Sequence, residues 1–206
     1  MKSIKEQVTF SFTESPPNEH YGLFHIVSGE HSKNFNGIEY LTVQFHDNGQ
    51  KLVFEMRYQY GGFSRADIEI TESVIAIGHY SSFYLYDYIN FKSLTTMEMN
   101  GYFSDILYDS NSFYIADWDK VIKFDTKGNI LWTSNSSVAH DGIHFSEIKH
   151  NKLTGSGWFD PPDGPWCDFV LDEQTGELLD GGEQIWLGQT ADKVKDTNRE
   201  WWKFWQ

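Results

Sequence analysis

Residues 66–87 (ADIEITESVIAIGHYSSFYLYD) lie under residues 104–125 (SDILYDSNSFYIADWDKVIKFD) without a gap, at a constant offset of 38. The pairs Asp67/Asp105, Ile68/Ile106, Ile77/Ile115 and Asp87/Asp125 are identical, and most other apolar positions stay apolar or aromatic. Short apolar and aromatic runs broken by polar turns read as strands. A period near 40 in such a segment is what tandem four-stranded sheet units produce. It restricts the architecture and says almost nothing about chemistry.

Each copy reads as a strand, a polar turn, a second strand, a short hairpin and a third strand ending on Asp. The first turns are Thr71-Glu72-Ser73 and Asp109-Ser110-Asn111-Ser112. After Asp125 the chain continues Thr126-Lys127-Gly128-Asn129-Ile130-Leu131-Trp132, an Asp-led turn whose glycine supplies a positive φ before an outer strand. A looser third copy comprises Ile143–Ile148, His150-Asn151-Lys152, Leu153–Trp158 and Cys167–Leu171, then Glu173-Gln174-Thr175-Gly176-Glu177-Leu178-Leu179. The loop FDPPDGPW (Phe159–Trp166) expands its hairpin, and the spacing from Asp125 to Asp172 grows to 47.

Upstream, Val8–Phe12 and Leu23–Val27 read as strands. Ile38–Phe45 and Leu52–Tyr58 flank His46-Asp47-Asn48-Gly49-Gln50, whose Asn-Gly favours a tight hairpin. Gly61-Gly62 and Gly181-Gly182 read as bends between strands. The segment 181–206 reads as a C-terminal extension, and within it residues 191–206 (ADKVKDTNREWWKFWQ) read as coil or a short helix in which Trp201, Trp202 and Trp205 form no clean stripe.

The segments Asp125–Trp132 and Asp172–Leu179 resemble the turn and outer strand of quinoprotein-type and Trp-Asp-type propeller repeats. The stretch Gly157–Gly164 is similar to stretches in small acidic bacterial proteins of similar length. The resemblance spans residues 66–180 and implies blade-like sheets; no cofactor-holding residues can be matched, so it implies no quinone. The expectation is a single all-β domain over residues 1–206, built as a propeller-like array of antiparallel sheet units or as a curved antiparallel β-sandwich. Three clear units are few for a propeller, which uses four to eight blades, and the 38–58 hairpin is the candidate fourth.

Charge narrows the partners. Sixteen basic against thirty acidic residues gives −14, which argues against nucleic acid and anionic membranes and suits a basic protein. The lone Cys167 fits a reducing compartment, and the lack of a signal-like or spanning apolar run makes cytoplasmic residence the expectation.

The leading candidate site is the Phe159–Trp166 loop, in which Trp158, Asp160, Asp163 and Trp166 flank a rigid Pro-Pro pair. Its plain alternative is a structural corner whose aspartates satisfy turn amides. Trp118 and Asp119 belong to Asp117-Trp118-Asp119, where an Asp-x-Asp pair lacks the further oxygens that a calcium site requires. His140 and His144 are four residues apart, a metal-binding spacing on a helix but about 13 Å on a strand. No nucleophile, phosphate-loop or zincin motif occurs. The expectation is therefore a non-catalytic, cofactor-free binding protein. Its most specific form is an immunity-type inhibitor of a cationic bacterial toxin; the alternative is a carbohydrate-binding or glycan-hydrolysing β-protein that uses the same Trp and Asp residues.

Overall fold

The computed structural model describes residues 3–17, 25–26, 35, 37–58, 65–159 and 164–182. Among these, sixteen strands form four four-stranded sheets. The first comprises β1 (Val8–Thr13), β2 (His25–Ile26), β3 (Gly37–Phe45) and β4 (Lys51–Tyr58), ordered β1-β3-β4-β2. The second runs β5 (Ala66–Ile70), β6 (Val74–His79), β7 (Ser82–Asp87), β8 (Lys92–Glu98). The third runs β9 (Asp105–Asp109), β10 (Ser112–Ala116), β11 (Val121–Asp125), β12 (Ile130–Thr133). The fourth runs β13 (Ile143–Lys149), β14 (Lys152–Trp158), β15 (Trp166–Asp172), β16 (Leu178–Gly181). In these last three, each strand pairs antiparallel with the next. Their first strands contact one another, β5 against β9 and β9 against β13, so they form the inner edge of the array.

Three apolar layers separate the four sheets, which is a propeller-like stack and replaces the sandwich alternative, where two sheets would share one layer. The middle strands show why the sequence demands this. All of β6 (VIAIGH) and β10 (SFYIA) is buried, so both faces of each must be covered. Alternation sends Ile75 and Ile77 into the first layer and Val74 and Ala76 into the second. Phe113 and Ile115 enter the second layer, Tyr114 and Ala116 the third. Fully buried Phe54, Phe83, Phe113, Phe124 and Phe169 each contribute about 1.5–3 kcal/mol of burial.

The first sheet, around the hairpin proposed as a fourth unit, is built differently. Ile4 N–H bonds to the Ile70 carbonyl at the end of β5, and Thr13, at the far end of β1, pairs with Tyr40 beside Glu39, which reaches the His79 end of β6. Thus β1 runs opposite to β5, and the edge strand β2 lies parallel to β4. The predicted turn at 46–50 joins β3 to β4, with Gly49 at φ 68 and Asn48 Oδ1 accepting the Gln50 N–H.

Because successive strands alternate in direction, the loops sort onto two faces. The β5–β6, β7–β8, β9–β10, β11–β12, β13–β14 and β15–β16 connections open on one, here the turn face. The β6–β7, β8–β9, β10–β11, β12–β13 and β14–β15 connections open on the other, the cleft face. The Asp-led turns lie on the turn face as expected, with Gly128 at φ 90 and Gly176 at φ 73.

The fourth sheet is enlarged toward the cleft face. Its first three strands have seven residues each where those of the third have five. The β14–β15 loop has seven residues (159–165) against four (117–120). The sequence reading assigned the whole nine-residue excess to the loop; longer strands take up most of it. Since Lys152↔Asp172 matches Ser112↔Asp125 at the turn face, the added rungs are Gly157↔Cys167 and Trp158↔Trp166. Gly181 and Gly182 are bends at φ 85 and 64. The Gly61-Gly62 bend, most of Leu23–Val27 and the Trp-rich terminus lie outside the described residues. Among the described residues no helix is long and apolar enough to cross a membrane.

Candidate binding cleft

The added rung builds one wall of a cleft. Trp158 and Trp166 stack with ring centroids 6.1 Å apart and planes 7° apart, and both are half-buried. Trp158 Nε1 donates to the Gly164 carbonyl at 2.9 Å, and Phe159 N–H donates to the Pro165 carbonyl, closing the loop at its base. Asp160 and Asp163, at the tip, lie outside the described residues.

The other walls come from three elements. Arg65 precedes β5, Tyr102 and Ser104 belong to the β8–β9 loop, and Asp141 and Gly142 to the β12–β13 loop. Backbone bonds hold the last in place. Trp158 carbonyl accepts the N–H groups of His140 and Asp141, Trp158 N–H donates to the Gly142 carbonyl, and Gly142 N–H donates to the Trp118 carbonyl at 2.7 Å. Gly142 sits at φ 110, a conformation other residues rarely adopt, and a Cβ there would approach Tyr102 Oη to 3.3 Å. Glycine therefore lets the Tyr102 and Ser104 hydroxyls close against this backbone.

Charge in the cleft is organised around two carboxylates. Asp105, 7% exposed, accepts the Ile106 N–H on Oδ1 and the Phe145 N–H on Oδ2. Its Oδ2 lies 2.8 Å from His144 Nδ1, and its Oδ1 lies 4.0 Å from Arg65 Nη2. Asp105 thus joins three sheets and is fully engaged. Asp141 Oδ1 accepts the Tyr102 hydroxyl at 2.6 Å, while Oδ2 has no hydrogen-bond partner among the described residues. Burial, reinforced by Asp141, raises the Tyr102 hydroxyl far above its ordinary range, so it remains a donor.

The remaining predicted residues separate by role. Trp118 is 38% exposed and covers Gly101, and its carbonyl supports the cleft floor. Asp119 turns away: Oδ2 accepts the Ser137 hydroxyl and its carbonyl the Val138 N–H. Asp117 is buried and accepts the amides of Trp118 and Asn100, and burial raises its carboxyl. The two aspartates of Asp117-Trp118-Asp119 therefore bind different loops. His140 packs on Phe159 while His144 pairs with Asp105, and among the described residues no group of three His, Cys, Asp or Glu could hold a metal ion.

Sequence reasoning missed Arg65, Tyr102, Ser104 and a second cluster on the same face. Buried His79 places Nε2 2.8 Å from Glu39 Oε2, and its ring meets Phe12, Tyr58 and Tyr80. Tyr58 stacks on Tyr80 at 4.3 Å and 13°. The hydrogen bond from His79 holds the Glu39 carboxyl below its ordinary range and pins the first sheet to the second. A usable signal was present: the repeat places Tyr80 over Trp118, so successive sheets carry an aromatic at the same cleft-face turn.

The chain is similar to solved β-propeller proteins. Kluyveromyces lactis Hsv2 matches with TM-score 0.47 and 9% identity, over 69% of this chain and 44% of that one. BamB from Moraxella catarrhalis matches with TM-score 0.39 and 14% identity, over 70% of this chain and 55% of that one. A europium-containing methanol dehydrogenase matches with TM-score 0.43 and 11% identity, over 59% and 26%. The matched region spans 26–55% of these proteins' lengths. No protein-family model matches the chain, and no curated protein matches it in sequence.

Proposed function

We propose that this protein is a non-catalytic binding module whose cleft face docks a basic protein. The observation that carries the reading is the Trp158–Trp166 pair, held on the added rung of the fourth sheet beside Arg65 and Tyr102. Trp, Tyr and Arg are the side chains that dominate interface energetics when set on a rigid support. A net charge of −14 favours a cationic partner and speeds its capture. In its narrowest form the reading is an immunity-type inhibitor in the cytoplasm that covers the basic active site of a bacterial toxin.

The test is affinity capture at low and high salt, with the Trp158→Ala/Trp166→Ala double variant as control. The reading expects a basic protein that is retained at low salt, weakened by salt, and lost with the double variant while the variant stays folded. Capture insensitive to both changes defeats it. Glycan binding or glycoside cleavage lost in the same variant would instead assign the face to carbohydrate.

A further inference from the structure

We infer that this chain pairs with a second copy of itself through the turn-face rim of its outer strands, the two copies packed antiparallel about a two-fold axis. Five of the eight large apolar side chains that stand exposed among the described residues gather on that rim: Ile89 and Phe91 in the β7–β8 turn, Ile130 and Leu131 at the start of β12, and Leu179 in β16. Each is 48–68% exposed. Neighbouring sheets hold them side by side. Thr95 Oγ1 in β8 donates to the Gly128 carbonyl at 2.6 Å, in the turn that leads to Ile130. Gly176, in the turn that leads to β16, lies against the Trp132 ring of β12. The row therefore steps across three successive sheets, at the opposite end from the cleft.

Stability of the single chain does not account for these positions. Four residues after Asp172 the turn sets Gly176 at φ 73; four residues after Asp87 the matching residue is Phe91, at φ 55 and 68% exposed. A bulky side chain is strained in that region and, so exposed, gains little from burial. Leu131 and Leu179 are the unpaired residues of β-bulges at matching places in β12 and β16. In β8 the bulge residue Leu94 turns into the second apolar layer instead, and Ile89 and Phe91 take its place on the rim. A bulge re-aims a side chain and also blunts the strand edge, so this rim suits side-chain packing rather than an added strand.

Charge selects the second copy and its direction. Exposed Lys92 follows Phe91, and exposed Lys127 lies in the turn before Ile130; exposed Glu177 and Asp180 bracket Leu178 and Leu179. One end of the row is basic and the other acidic. A two-fold axis across the row sets each basic end on the acidic end of the other copy, while the rest of a surface at −14 repels such a partner and confines contact to the rim. Five side chains exposed to this degree present on the order of 500 Å² of apolar surface, at the upper end for a monomer. Two copies supply about 1,000 Å², and a polar margin brings the contact to the roughly 1,200–2,000 Å² of a specific interface.

The experiment is sedimentation velocity of the full chain from about 5 to about 500 µM, where a monomer–dimer equilibrium with a Kd on the order of 10–100 µM is expected. Phe91→Gly should weaken it at least ~10-fold while the urea midpoint holds or rises, because glycine is the residue that this φ favours. Lys92→Glu and Asp180→Lys should each weaken it about 3-fold, and the Lys92→Glu/Asp180→Lys double variant should return it to the parent value. Trp158→Ala/Trp166→Ala, altered at the other end of the sheets, should dimerise like the parent. A chain still monomeric at about 500 µM, or equal dimerisation by Phe91→Gly, overturns the inference. So does a charge-swapped double variant no tighter than the single ones, or dimerisation lost with the two tryptophans.

Discussion

The turn face and the cleft face are made by the same repeated sheets, yet their loops are built on opposite plans. On the turn face, Asp87, Asp125 and Asp172 each end a strand and turn their carboxylates onto the amides that follow: Ile89 and Asn90, Lys127 and Asn129, Gln174 and Thr175. The carboxylates of these three aspartates are engaged locally, by residues within a few positions of each. On the cleft face several bonds join loops or strands of different sheets: Gly142 to Trp118, Phe103 to Tyr80, Glu39 to His79. The difference teaches where each face's sequence is answerable. A turn that closes on itself constrains only its own few residues. A face assembled from several sheets can hold groups distant in sequence in one geometry, as a binding site requires.

The largest expected effect tests whether the turn face is a stability device. Lys123 is 8% exposed and its Nζ reaches Glu173 Oε1, an acceptor that the Tyr114 hydroxyl also uses. Glu173→Ala leaves a buried ammonium without its carboxylate, which costs about 3–5 kcal/mol in urea unfolding. The Lys123→Met/Glu173→Gln double variant should recover most of that loss, since removing both charges avoids the uncompensated one. Partner affinity should be unchanged in both variants, because this cluster lies away from the cleft. A loss of affinity in a still-folded double variant would blur the division between the faces.

The converse substitution should separate in the other direction. Trp158→Ala removes a half-buried ring whose packing partner is Trp166, so about 2 kcal/mol of partner affinity is expected to go, roughly 30-fold in Kd. Melting should fall far less than for Glu173→Ala. If calorimetry finds the reverse ranking, the Trp pair is a structural corner.

Much of the turn face was legible in the sequence, and little of the cleft. The Asp-led turns, the 46–50 hairpin and the largely apolar middle strands are local patterns, each fixed by a few adjacent residues. The two tryptophans were legible because they flank a conspicuous Pro-Pro loop. Arg65 and Tyr102 were not, since nothing adjacent to either residue marks it; they meet Asp141 only because the inner strands bring three loops to one end. The Glu39–His79 pair spans 40 residues and two sheets and left no local trace. Even the enlarged spacing was misread, because a count of residues cannot distinguish a longer loop from longer strands.

A smaller effect comes from a single turn. Asp125→Ala deletes acceptors for the Lys127 and Asn129 amides and for the Asn129 side chain. These sites are solvated, so the cost should be about 1 kcal/mol, read as a shift in urea midpoint with an unchanged slope. Binding to the partner should be the same as for the parent.

The subtlest contrast is in acid. Against a burial cost, Asn90 and neighbouring amides lower the Asp87 carboxyl, and Asn129 and Lys127 lower that of Asp125; Asp172 is lowered by Thr175. Each therefore contributes stability that is present above the ordinary aspartate value of 3.8 and is lost as pH falls through the depressed one. Asp117 on the cleft face has the opposite sign: burial raises it, so its contribution is present below 3.8 and is lost as pH rises through the elevated value. Carboxyl carbon shifts followed by NMR through this range should show the three turn aspartates titrating below 3.8 and Asp117 above it. Asp125→Ala should flatten the acid limb of the stability curve and leave the titration of Asp117 in place. Four coincident titrations would mean that local turn closure and burial between sheets act alike on these carboxylates, and the electrical distinction between the two faces would be gone.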